Sequence, residues 1–167
     1  MKHRLSWGVL FLVACGALFF ITRTTGELPG ILASHFDAGG HPTAFMTRAG
    51  YFHFILSLGI GAPLALVALL TVVYSRAADM KLPNRDYWLA PERIGQTRDF
   101  LVAHGIWFGS LLISMVCYVH WLELKANRQQ PAHLPDDLVY GGLILFFLIT
   151  VGWFAALLLA FRRPRGS

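Results

Sequence analysis

Hydrophobic positions along this chain are gathered into four blocks. Leu5–Thr22, Tyr51–Tyr74, Phe100–Leu122 and Val139–Phe161 contain no Asp, Glu, Lys or Arg. Each block reaches or approaches the roughly 20 residues that cross a hydrocarbon core about 30 Å thick. The pattern therefore predicts four transmembrane helices, spanning about 5–22, 51–74, 100–122 and 139–161. With 167 residues in all, the chain has no room left for a separate soluble domain, and 1–167 reads as one membrane domain. The expected fold class is an all-α integral membrane protein, a four-transmembrane-helix bundle.

Two patterns inside the blocks refine this picture. The run "GIGAP", Gly59 to Pro63, should kink or loosen the second helix, because proline removes one backbone donor and glycine adds freedom. In the third block Gly105 and Gly109 are four apart, and Ser110 and Ser114 repeat that spacing. Small residues at this interval let helix backbones approach closely. Packing within one bundle and a homodimer through Gly105/Gly109 both use such a face, and the first is favoured.

Composition agrees: 56% of residues are hydrophobic and 14% charged, against about 25% charged in a soluble domain. The net charge of +5 does not point to nucleic acid, since the basic residues flank the blocks and form no single surface. Ten of the 14 lie on one side of the predicted bundle: Lys2 and Arg4, then Arg76, Lys81, Arg85, Arg93 and Arg98, then Arg162, Arg163 and Arg165. Arg23, Arg48, Lys125 and Arg128 lie on the other. By the positive-inside rule both termini and the second connection, 75–99, face the cytoplasm, and the first connection, 23–50, faces outward. Tyr51, Trp121 and Tyr140 then fall at the outer headgroup level, with Tyr74, Tyr87 and Trp88 at the inner one. Membrane lipid is the first expected partner.

The first block also admits a lipoprotein reading, because "LVAC" at Leu12–Cys15 follows a basic start. The apolar run continues past Cys15, where a lipoprotein would turn polar, so an uncleaved span is favoured. Cys15 and Cys117 both lie inside predicted spans, and buried thiols are expected in place of a disulfide. In the second connection Pro91 precedes Glu92, a pattern that suits a helix start. A short cytoplasmic interfacial helix is predicted over 92–99, leading into the third span.

The first connection carries "LPGILASHFDAGGHPTAFMTR", residues 28–48. Asp37 ahead of Gly39-Gly40 suits a turn that needs positive φ, and Pro42 fixes the departing chain. A compact extracytoplasmic capping loop is expected, its histidine and aspartate bonding the turn. The chemistry-bearing residues on this side are His35, Asp37, His41, His53, His120, Glu123 and His133. Imidazole and carboxylate suit zinc, so a metal-dependent membrane enzyme using His35, Asp37, His120 and Glu123 is one alternative, although no recognised ligand spacing is present. A small transporter or channel is another. It is disfavoured because only His53, His104 and His120 bring ionisable groups near the spans, all close to their ends. Neither a strained serine elbow nor a Cys-His pair at a common depth is evident. No catalytic residue, cofactor or nucleic-acid partner is expected.

The segment 28–48 resembles the bacterial membrane domain of unknown function numbered sixteen-forty-eight, found at the N-terminus of SdpI-type toxin-immunity membrane proteins. The positions that carry the resemblance are Leu28, Pro29, His35, Phe36, Asp37, Gly40, Pro42 and Arg48, and its pattern covers about residues 5–75. Thr43 stands where that pattern has aspartate. A later stretch, "LPNRDYWLAPER", looks like the second signature of a four-span branch, carried by Asn84, Tyr87, Trp88, Pro91, Glu92 and Arg93. The resemblance implies a multi-pass protein of the bacterial cytoplasmic membrane with no known catalysis. Its role would be immunity or envelope regulation, and its partner a peptide toxin or a membrane protein. His35, Asp37 and Arg48 are the residues on which protection would rest.

Overall fold

The computed structural model describes residues 2–76 and 81–162. Arg163 and Arg165, counted in the charge bias, and positions 77–80 of the second connection lie outside the described residues, as do the side chains of Lys2 and His3. The chain runs α1 (Lys2–Thr24), a 3-10 turn (Thr25–Glu27), β1 (Ile31–Phe36), β2 (Pro42–Thr47) and α2 (Arg48–Leu56). A π-helical segment (Ser57–Gly61) then leads to α3 (Ala62–Ser75), α4 (Arg85–Trp88), α5 (Ile94–Asn127) and α6 (Asp136–Ala160). Four segments are long and apolar enough to cross a membrane: Arg4–Glu27, Arg48–Ser75, Ile94–Asn127 and Asp136–Ala160. This is a multi-pass membrane protein.

The π-helical segment overlaps "GIGAP" at Gly59–Gly61 and ends just before Pro63. Pro63 lacks the N–H an α-helix would use, and the wider turn absorbs the break without ending the span. Helix α5 is the central element, touched by α1, α3 and α6. One core cluster joins Leu10 and Ala17 of α1, Val67 of α3, and Val102, Ile106 and Ile113 of α5. The small-residue face of α5 is filled from within the chain: a Cβ on Gly109 would meet Val67 Cγ2, and one on Gly105 would lie 3.3 Å from Leu70 Cδ1. Both glycines are buried, and this face is occupied by α3. Small residues set the α3–α5 distance, and burial of aliphatic surface follows from it.

Helix α6 is peripheral. None of its most apolar stretch is buried by protein. It leans on α5 through Gly142 under the Tyr118 ring and through Trp153, stacked 4.1 Å from the His104 imidazole.

Three expectations are corrected. The fold is not all-α: residues 31–47 form a two-stranded antiparallel hairpin, with Ile31 opposite Thr47 and Ala33 opposite Phe45. The helix expected over 92–99 begins two residues later, at Ile94, and leads without a break into the third span. Arg93 is the N-cap of α5, Pro91 and Glu92 lie in a turn, and α5 continues from Ile94 for 34 residues. Of the cysteines, Cys15 is exposed on the outside of the bundle while Cys117 is half-buried; both are free thiols.

Candidate functional site

The hairpin is built by its turn. Asp37 Oδ1 accepts the backbone N–H of Gly39 and of His41, each at 2.9 Å, and Asp37 and His41 also close a backbone bond of 2.9 Å. Those donated N–H groups, that of His41 first, hold the Asp37 carboxyl below its ordinary value. Gly40 takes φ +74°, a conformation that disfavours any side chain. A Cβ there would also collide with the Leu134 carbonyl oxygen, because the Gly40 carbonyl accepts the Leu134 N–H at 2.9 Å. Pro42 opens β2, where the missing donor costs nothing to the ladder.

Three further ties hold the hairpin and the segments that flank it. The Asn127 side chain at the end of α5 reads both polar backbone groups of Ala33: its Oδ1 accepts the Ala33 N–H at 2.8 Å, and its Nδ2 donates to the Ala33 carbonyl at 2.9 Å. An amide side chain thus stands in for a neighbouring strand. Arg48 donates to the carbonyls of Gly26 and Leu28, at 3.1 and 3.0 Å, and caps the turn that leaves α1. Arg128 pairs with Glu27 on the surface.

Beneath the hairpin, three spans meet at His120, which is fully buried. Tyr51 hydroxyl lies 2.7 Å from Nδ1 and Thr24 Oγ1 lies 2.8 Å from Nε2. Thr24 spends its own proton on the Phe20 carbonyl at 2.7 Å. Its oxygen therefore accepts from His120 Nε2–H, which leaves Nδ1 to accept from Tyr51. The neutral Nε2–H tautomer satisfies every group in the node. A cavity of about 120 Å³ opens beside it, bounded by Ser34, Met46, Tyr51, Phe54, Val116 and Glu123.

Tyr51 is thus a buried link and not a headgroup anchor, whereas Trp121 and Tyr140 are exposed at this end. His35 is exposed on β1, opposite Ala44 at an irregularity in the ladder. His41 and His133 rings face each other at 5.5 Å across the hairpin tip. The four metal candidates His35, Asp37, His120 and Glu123 do not converge: no group of three or more His, Cys, Asp or Glu side chains that could hold a metal exists among the described residues. His120 has both ring nitrogens engaged, and Asp37 is occupied by its own turn.

The second motif is a clasp on the far end of α6. Asn84, in the left-handed region at φ 53°, donates its side-chain amide to the Phe161 carbonyl at 3.0 Å, and Trp88 Nε1 donates to the same oxygen at 3.3 Å. A helix leaves its last carbonyls unpaired, and these two donors supply what α6 lacks. Thr97 Oγ1 in turn donates to the Trp88 carbonyl at 2.8 Å, and the Arg93 guanidinium covers the Tyr87 ring at 3.9 Å.

Sequence reasoning found the turn but missed Asn127, Thr24 and Phe45. The strands had a signal, since six-residue runs, "ILASHF" and "PTAFMT", flank the turn. The free edge of the hairpin follows from its ladder. Because Asn127 takes both backbone groups of Ala33, that residue faces away from β2. Its antiparallel partner Phe45 then turns its own N–H and C=O away from β1. The Arg48 N–H to Gly30 carbonyl bond, 3.0 Å, fixes the same phase. Phe45 itself is 62% exposed. No protein-family model, curated protein or solved structure matches the chain.

Proposed function

We propose that this chain is a non-enzymatic membrane protein of the bacterial cytoplasmic membrane. On this reading its outward hairpin captures an extended peptide segment along β2, in an immunity or envelope-regulating role like that of the SdpI-type proteins. The observation that carries this reading is the edge of β2. It offers an unpaired N–H and C=O at Phe45, next to an exposed aromatic ring, on a hairpin locked from behind by Asn127. A fixed, open strand edge is the receptor for β-strand addition, in which backbone bonds give affinity and side-chain contacts give selectivity. The charge bias of the flanking segments supports placing this edge outside the cell.

The motif residues divide on this reading. Asp37, Gly40, Pro42 and Arg48 build the cap, Leu28 is buried beneath it, and His35 stays exposed for contact. The test is survival of cells challenged with secreted membrane-active peptides, with the protein present or deleted. Phe45→Pro removes the outward donor without touching the bonds between the strands. Protection that disappears in Phe45→Pro, with membrane levels unchanged, supports strand addition. Equal protection by this variant excludes it, and deletion without any change in sensitivity excludes the immunity role.

A further inference from the structure

The end of the bundle opposite the hairpin holds a second recess that the peptide-binding reading does not use. It encloses about 260 Å³ between Trp88, Arg93, Gln96, Phe100, Ala160 and Phe161. Its walls differ in character. Phe100 and Phe161 meet edge to face at 5.7 Å, and Trp88 meets Phe161 at 5.6 Å, which makes a rigid aromatic lining against the end of α6. The Arg93 guanidinium stands at the polar side with one face laid on Tyr87, 3.9 Å from the ring centroid. It forms no ion pair with a carboxylate among the described residues. A guanidinium stacked on an aromatic ring keeps its in-plane N–H donors pointing outward, in a fork that fits two oxygens of one phosphate. Gln96 also lines the recess, and the exposed part of the lining is mostly apolar.

The position matches this chemistry. The recess sits where α5 begins and α6 ends, the depth at which phospholipid headgroups lie. The described residues of the second connection, the start of α5 and the end of α6 carry Arg76, Lys81, Arg85, Arg93, Arg98 and Arg162 against Asp86, Glu92 and Asp99. An excess of cations at a membrane boundary attracts anionic lipid. We propose that this recess is a binding site for an anionic glycerophospholipid. Its phosphodiester would be held by Arg93 and Gln96, and the start of an acyl chain would lie on Phe100 and Ala160. Because Asn84 and Trp88 hold the α6 carbonyl from the same segment, a lipid seated there would also brace the loosely packed fourth helix.

The test uses the full chain in detergent, delipidated and titrated with phosphatidylglycerol, with phosphatidylcholine and with inorganic phosphate, and read by native mass spectrometry. Phosphatidylglycerol is expected to bind as one retained lipid, with phosphatidylcholine weaker by about tenfold, because its phosphodiester is the same but its choline cation is set against the Arg93 guanidinium. Arg93→Gln should remove that preference, and Arg93→Lys should restore it in part. Arg98→Gln, an exposed cation outside the recess, should leave it intact. Ala160→Phe fills the recess without altering any charge and should expel the lipid as well, which guards against a folding defect in Arg93→Gln. Equal retention of both lipids, or equal loss in Arg98→Gln and Arg93→Gln, reduces the binding to general attraction and overturns the proposal. Binding of inorganic phosphate as strong as that of phosphatidylglycerol would assign the recess to a soluble anion instead.

Discussion

Replacing Asn127 tests whether one side chain fixes the hairpin to the bundle. The side chain makes two bonds to Ala33, at 2.8 and 2.9 Å, and Ala33 is 2% exposed. A made hydrogen bond contributes about 1 kcal/mol, and a buried group left without a partner costs about 1–3 kcal/mol. Asn127→Ala strands one donor and one acceptor, so the docked hairpin should lose about 2–6 kcal/mol. At 1.4 kcal/mol per decade, amide exchange across β1 should accelerate by about 30-fold or more. The assay is hydrogen exchange on residues 30–47 in a lipid nanodisc, with α6 as the internal reference. Asn127→Asp sharpens the test, because it keeps nearly the same shape yet loses the donor to the Ala33 carbonyl and sets a carboxylate against it. It should open the hairpin at least as much as Asn127→Ala. A wild-type exchange pattern in Asn127→Asp would refute the reasoning, since the clamp would then be a matter of volume and not of hydrogen bonding.

Other substitutions probe the remaining ties. Gly40→Ala meets both a positive φ and the Leu134 carbonyl, so the tip should detach, seen as faster exchange at Gly39 and Leu134 in the full chain. Gly109→Ala puts a methyl group into Val67 and should lower the unfolding temperature in detergent; adding Val67→Ala should recover part of the loss, with a coupling of about 0.5–3 kcal/mol. Tyr51→Phe removes the donor to His120 Nδ1 and should cost about 1–3 kcal/mol in denaturant titration of the full chain. Asp37 is held below its ordinary value in the folded turn, so its stabilisation is fully present above the unfolded carboxyl range. It should fade as pH falls through the lower, folded value. Amide exchange at Gly39 and His41, followed downward in pH, should show this loss in the wild type and not in Asp37→Asn.

How much of this was legible in the sequence varies by element. The "GIGAP" irregularity and the Asp37–Gly40 turn were readable because proline, glycine and aspartate act on their own backbone within a few residues. The strands beside the turn were overlooked because the hydrophobic blocks around them dominated the pattern. Gly105 and Gly109 signalled a close approach, but only the fold assigned it to Val67 and Leu70 of the same chain. Arg48, read as a binding residue, turned out to cap the carbonyls of Gly26 and Leu28, since an arginine's outline in sequence is the same for both uses.

By itself the sequence determined the four spans, because a bilayer core demands about 20 apolar residues per crossing whatever the rest of the chain does. It determined the tight turn between the first two spans for an equally local reason. Only the tertiary structure decided what those elements meet. Thr24 and Tyr51 reach His120 across 96 and 69 residues, and Asn127 reaches Ala33 across 94. Asn84 and Trp88 reach Phe161 across 77 and 73. Such contacts depend on how helices pack, and packing in a membrane is set by small side chains and polar pairs that leave no periodic trace along the chain.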